Sequence, residues 1–304
     1  MTGRDQAHAL RDAVIKKESI RPYGEGKTVL ASDGPRVICV SSGKGGVGKS
    51  NFTLNTALSI RRRGKRVVVI DADLGLANIE ILIGLLPKYS LLDVVEQNRS
   101  IGEVIAQGPE GIEIISGASG IQRMSELSGE QLGRLLKLFA QLKERADYVL
   151  IDTGAGISKS VISFVEAAHE LILITTPEPP AIADAYALVK VLLEKQKDKK
   201  IRLVINRVSD EKEAGEVFRK LNSVSERFLD KELDYLGYVC SDENVSKAVR
   251  SQRPFYLAYP KTRASANIDK ISMSLLEMKT EEKGFHQFMS KLKGLFFTGG
   301  KDVK

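Results

Sequence analysis

The sequence predicts a doubly wound α/β fold, a mostly parallel sheet of about seven or eight strands with helices on both faces. Three observations predict it. Short apolar, β-branched runs recur along the 304 residues and alternate with segments of helical periodicity. One run, residues 37–40, leads into a glycine-rich stretch, Gly43 to Ser50, that satisfies G-x-x-x-x-G-K-[ST] and opens a helix. Two other runs end in carboxylates, Asp71 and Asp152, at the strand ends where ligands gather in such sheets.

Residues 1–36 read as a tail. A helix is expected over 5–17, with Asp5 as its cap and Ala7, Leu10 and Val14 as a narrow apolar stripe, followed by a linker through Gly24, Gly26 and Gly34. Such a helix either packs on its own domain or docks on a partner.

The strand at 37–40 then delivers a phosphate cradle. Gly43, Gly45, Gly46 and Gly48 let the backbone of the loop, with Lys44 and Val47 between them, turn its N–H groups inward without Cβ clashes. Lys49 reaches β- and γ-phosphates, Ser50 is placed to ligate Mg²⁺, and the helix over 51–60, starting at Asn51, aims its positive end at the anion.

Residues 66–70 form a second buried strand, running into Asp71-Ala72-Asp73, whose carboxylates fall on the phosphate side. Residues 87–104 read as helical, 112–116 as a strand, and Gly129–Arg145 as a strongly amphipathic helix with Leu132, Leu135, Leu136, Phe139 and Leu142 on its apolar face. The strand over 148–156 ends at Asp152, which can hold a metal through water, and Gly154 and Gly156 give a loop that can follow a γ-phosphate. Strands follow at 171–176 and 201–205, with a helix over 181–195 between them. Asn206 and Arg207 stand where a side-chain amide can read a base edge or simply cap the strand. A strand over 233–239 completes the sheet, and the loop from Cys240 to Asn244 is expected to cover the base.

The last helical stretch, 284–297, places Phe285, Phe288, Met289, Leu292, Leu295 and Phe296 on one side, with Lys283, Lys291, Lys293 and Lys301 and no acid between the outer two. It reads either as a helix packed on the core or, by its position and unbroken positive sign, as an interfacial membrane helix, the favoured expectation.

Composition narrows the class. With 42% hydrophobic residues the chain can bury one large core, and a net charge of +7 favours an anionic partner, nucleic acid or phospholipid, without choosing between them. Cys39 and Cys240 lie far apart with no C-x-x-C, so disulfide scaffold, zinc site and cluster ligation lack support. No signal peptide or long apolar run is present, which gives a cytoplasmic expectation.

Lys44 adds a second lysine to the loop. K-G-G-x-G-K-[ST] resembles the deviant Walker A motif of the MinD/ParA family of ATPases. That resemblance implies ATP/ADP and Mg²⁺ as ligands and a homodimer formed on ATP, with Lys44 crossing to the partner's nucleotide. It also implies that Asp73 orients the attacking water, that Asp71 supports the Mg²⁺ shell, and that Asn206 contacts adenine. In the tail, Asp5-Gln6-Ala7-His8-Ala9-Leu10-Arg11 is similar to the D-Q-A-x-x-L-R motif of the FlhG (FleN/YlxH) family, MinD-like regulators of flagellar number and placement.

The FlhG resemblance implies stimulation of the GTPase FlhF through Asp5, Gln6, Ala7, Leu10 and Arg11, and membrane binding of the carboxy-terminal helix when ATP drives dimerisation. Flagellar C-ring components or a flagellar transcription regulator are further partners it suggests. The expected organisation is an activator helix and linker at 1–35, an ATPase domain at 36–278 and a membrane-targeting helix at 279–304, with slow turnover. A division-site MinD, a ParA-like DNA-partition ATPase and a non-enzymatic nucleotide sensor are the rivals. A partition ATPase would need a basic folded surface and no phenylalanine-rich tail, so no specific nucleic acid is expected.

Overall fold

The computed structural model describes residues 34–73, 78–117, 128–277 and 284–297. The expected tail helix over 5–17, with Asp5, Gln6, Ala7, Leu10 and Arg11, lies outside the described residues, as do the side chains of Leu295 and Phe296.

Eight strands form one sheet: β1 (Arg36–Ser42), β2 (Val67–Ala72), β3 (Ile105–Gln107), β4 (Glu113–Ser116), β5 (Tyr148–Ala155), β6 (Glu170–Thr175), β7 (Lys200–Val208) and β8 (Asp234–Cys240). Their order is β3-β4-β2-β5-β1-β6-β7-β8, parallel throughout except where β3 runs antiparallel to β4. The continuous apolar runs have a direct cause. In β1, Val37 and Cys39 enter the core layer on one face while Ile38 and Val40 enter the layer on the other, so neither face can be polar. The connection leaving β1 runs toward the β4 side and that leaving β5 toward the β8 side, so their carboxyl ends bound a crevice.

The helices are α1 (Lys49–Arg62), α2 (Asn78–Ile83), α3 (Leu91–Gln97), α4 (Ile101–Val104), α5 (Gly129–Arg145), α6 (Lys159–Ala167), α7 (Pro179–Lys195), α8 (Glu211–Leu229), α9 (Glu243–Arg250), α10 (Phe255–Ala258), α11 (Arg263–Glu277) and α12 (Gly284–Phe297). The expected helix over 87–104 is two. Asn98 adopts a left-handed conformation (φ 56°) that ends α3, and Ser90/Asp93 and Ser100/Glu103 form separate capping boxes. The short strand β3, which pairs only at the sheet edge, has no counterpart in the sequence reading.

The carboxy-terminal helix packs on the core. α12 packs against α5, α6 and β1, and Phe285, Phe288 and Leu292 are buried in the same core cluster as β1, with Met289 partly buried against it. Phe288 meets Phe139 of α5 edge-on at 6.0 Å and stacks with Phe285 at 5.9 Å. Such a stripe gains about 1.5–3 kcal/mol for each large side chain it buries, and the groove beside β1 supplies that burial within the chain. In this conformation the apolar face of the helix is occupied by protein.

Candidate nucleotide site

The glycine-rich loop joins β1 to α1 at the centre of the crevice. Gly48 is the N-cap of α1 with φ 95°, a left-handed conformation that glycine accepts without Cβ strain. A Cβ on Gly43 would lie 2.1 Å from the Asp184 backbone, so the loop rests directly on α7 and only glycine fits. Lys49, the first residue of α1, is buried, while Ser50 and Asn51 are half-buried beside it. The Ser42 hydroxyl donates to the Lys44 carbonyl at 2.7 Å and shapes the start of the loop.

Lys44 is paired with a residue outside the loop. Its ammonium is 3.2 Å from Glu178 Oε2, the residue that precedes α7, and both side chains are substantially exposed. An ion pair of that kind contributes about 0–1 kcal/mol, so Lys44 exchanges partners easily.

Asp71 and Asp152 are paired across β2 and β5. Asp71 accepts the Ile79 N–H at 2.9 Å and the Asp73 N–H at 3.2 Å, which pins both ends of the loop that follows β2. Asp73 in turn accepts a hydrogen bond from Asn78 Nδ2 at 3.0 Å. Burial, then the charge of Asp152, pushes the Asp71 carboxyl up to about 7. Burial likewise pushes Asp152 up to about 6, held back by the Ser50 hydroxyl and the Lys49 ammonium. Two buried carboxylates that resist ionisation mark a place where a cation is welcome.

The fit to Mg²⁺ can be tested on one atom. Asp152 Oδ1 accepts a hydrogen bond from Thr53, whereas Oδ2 is buried and makes none, an acceptor that a metal-bound water would satisfy. Among the described residues no cluster of three or more His, Cys, Asp or Glu side chains could hold an ion alone. Mg²⁺ is usually held by one or two carboxylates together with substrate phosphates, and Asp71 and Asp152 stand opposite each other on β2 and β5. On the other flank of the loop, the Gly156 N–H donates to the Ser42 carbonyl at 2.9 Å, so the loop after β5 touches the cradle.

Beside Gly48 opens a cavity of about 160 Å³ lined by Asn51, Phe52, Asn206, Arg207, Asp242 and Phe255 among others. Asn206 Nδ2 donates to the Val47 carbonyl at 2.7 Å and its Oδ1 accepts the Arg207 N–H at 2.9 Å. Arg207 itself is left-handed, with φ 58°. The expected base reader is thus tied to the phosphate loop, and the segment from Cys240 to Asp242 borders the cavity.

The structure brings Gly43 to Asn51, Asp71, Asp73, Asp152, Asn206 and Arg207 to one end of the sheet, and it keeps the α12 residues apart from them. Thr53, Asn78 and Glu178 join the site without having been read from the sequence. The available signal for Thr53 was its place one helical turn beyond Ser50.

A family model described as "ParA: NUBPL iron-transfer P-loop NTPase" matches residues 35–276. Iron transfer belongs to that description; in this chain Cys39 and Cys240 are buried free thiols. The antiactivator FleN of Pseudomonas aeruginosa is 44% identical over 230 residues, 76% of this chain and 82% of FleN. The flagellum site-determining protein YlxH of Helicobacter pylori is 34% identical over 265 residues, 84% of this chain and 89% of YlxH. Among solved structures, the MinC:MinD cell division protein complex of Aquifex aeolicus superposes with a TM-score of 0.65 at 23% identity, covering 81% of this chain and 98% of that one. MinD of Pyrococcus horikoshii complexed with Mg-ADP gives 0.64 at 22% identity, covering 80% and 96%. The sequence motif, the sheet order and these likenesses agree: the chain belongs to the MinD/ParA family of P-loop ATPases, in the FlhG group with FleN and YlxH.

Proposed function

We propose that the chain is a nucleotide-gated regulator of flagellar number and placement, which hydrolyses ATP slowly, dimerises on ATP and then associates with membrane. The observation that supports it most is Lys44, a cation standing outside its own phosphate cradle on a weak exposed pair with Glu178. A second copy facing this crevice would receive that ammonium at its γ-phosphate.

In this reading Lys49 and the N–H groups at the start of α1 bind the β- and γ-phosphates. Asp73 accepts a hydrogen bond from water and holds its oxygen in line with the γ-phosphorus. The new P–O bond forms as the bond to the β,γ-bridging oxygen breaks, the water's proton passes to the released phosphate, and Lys49 with Lys44 of the second copy takes up the charge that leaves on ADP. Mg²⁺ would be held by Ser50, Asp152 and Asp71, and would supply charge neutralisation for the phosphates. Asn206 and Arg207 line the base side. Gly156, whose N–H rests on Ser42, is the switch group that can follow the γ-phosphate, and α6 begins three residues later and packs on α12. That path links nucleotide state to the docked helix, and hence to an anionic membrane on the cytoplasmic side.

FleN and YlxH, together with Asp5, Gln6, Ala7, Leu10 and Arg11, support the flagellar role and stimulation of FlhF. The domain boundaries at 35/36 and 278/279 belong to the same proposal. Light scattering on a sizing column tests the core of it: ATP with Mg²⁺ should give a dimer and ADP a monomer. A monomer in both states would reject the reading. For the flagellar part, the full chain should raise the GTP turnover of the cognate FlhF and the chain lacking residues 1–20 should not; equal effects would reject that part alone.

A further inference from the structure

Thr53 is fully buried in α1, one turn beyond Ser50. Its hydroxyl lies 3.1 Å from Asp152 Oδ1 and 3.0 Å from the Lys49 carbonyl, so a single proton is shared between a carboxylate on β5 and the helix backbone four residues earlier. A threonine in a helix often bonds its i−4 carbonyl with no wider consequence. Here the same hydroxyl also reaches an acceptor 99 residues away in sequence, on a different element.

That second bond has a geometric effect. The terminal torsion of an aspartate is broad, so an unrestrained carboxylate samples many planes. Holding Oδ1, beside the pull of the Ser50 hydroxyl on the same carboxylate, restrains the plane and with it the direction of the buried Oδ2. The bond to the Lys49 carbonyl steadies the hydroxyl in turn, and α1 is the helix that carries Lys49 and Ser50.

We propose that Thr53 is a positioning residue for metal capture: its hydroxyl clamps Asp152 Oδ1 so that Oδ2 is presented to the divalent cation that accompanies the nucleotide. This rests on the reading that Ser50 and Asp152 hold that cation. Outer groups that orient a ligating carboxylate typically change metal affinity by about 10–100-fold when removed. Thr53 does this without touching nucleotide or metal.

The test is Mn²⁺ binding to the full chain with ADP, followed by electron paramagnetic resonance. Thr53→Val keeps the branched shape and removes the hydroxyl, Thr53→Ser keeps the hydroxyl, and Asp152→Asn is the control; Thr53→Ala carries the same comparison if valine is not accommodated. Thr53→Val should weaken Mn²⁺ by about 10–100-fold, Thr53→Ser should restore it, and ADP affinity in EDTA should be unchanged in both. Equal Mn²⁺ affinity for Thr53→Val and wild type, with Asp152→Asn impaired, overturns the role of Thr53 alone. Failure of Thr53→Ser to restore binding overturns it as well. Unchanged affinity in Asp152→Asn removes the metal reading on which the proposal stands.

Discussion

Lys44 and Lys49 are five residues apart in one loop and yet face opposite tasks, because one is buried at the start of α1 and the other is held outside by Glu178. Their alanine variants should therefore separate. Lys49→Ala should lose ATP in a fluorescent-nucleotide titration, whereas Lys44→Ala should bind ATP and remain monomeric by light scattering. Asp73→Ala should bind ATP, accumulate as dimer and release phosphate about 10²–10³-fold more slowly, the usual scale for losing a contact realised in the transition state. The loop and the two strand-end carboxylates were legible because their chemistry is written in short, local spacing. Thr53 and Glu178 were not, because their partners, Asp152 and Lys44, lie 99 and 134 residues away and meet them only once the sheet has formed. Asn206 was legible as a strand-end residue near the loop but not in its bond to Val47, which depends on β7 ending beside the loop.

At the level of elements, Lys199 shows what burial costs. It precedes β7, is 1% exposed, and donates to the carbonyls of Ala168 and Glu166 at the carboxyl end of α6. Burial, reinforced by Lys291 on α12, pushes its ammonium down to about 7 from 10.5. Below that value the lysine is charged in folded and unfolded chains alike, and the folded chain bears the whole cost of burying the charge. Between about 7 and 10.5 the unfolded chain binds the extra proton, so stability from this group rises with pH. Consequently the melting temperature of Lys199→Met minus that of wild type should be level below about pH 7 and fall between about pH 7 and pH 10.5; a difference independent of pH throughout would show that Lys199 is not held neutral. Central strands were readable for the same reason Lys199 is costly: both faces of the sheet are dry. The edge strand β3, three residues long, carries no such signal, and α9 to α11 are short or have mixed faces whose partners come from α1 and β8. The stripe on α12 announced a helix that must bury one face, but amphipathicity alone does not say whether protein or lipid does the burying.

For the whole molecule, the groove formed by α5, α6 and β1 holds the apolar face of α12, the face that a bilayer would take in the proposed function. Phe285, Phe288 and Leu292 each gain about 1.5–3 kcal/mol wherever they are buried, so moving them from groove to lipid changes little by itself. Lys291 and Lys293 on the same helix add about 1 kcal/mol each beside anionic lipid, which tilts the balance without deciding it. In the proposed ATP-bound dimer, two helices would bring about 10²–10⁴ in avidity, enough to make membrane residence follow nucleotide state. The competition can be examined from the groove side. Phe139 belongs to α5 and meets the Phe288 ring edge-on, so Phe139→Leu loosens the docked state while leaving every lipid-facing residue of α12 in place. Sedimentation with anionic vesicles should then show ATP-dependent binding for wild type, increased binding in ADP for Phe139→Leu, and loss in both states for Phe288→Ser or for removal of residues 284–304. Should Phe139→Leu bind vesicles no better than wild type in ADP, with its fold intact by circular dichroism, the groove does not restrain the helix, and nucleotide control of the membrane must act through dimer avidity alone.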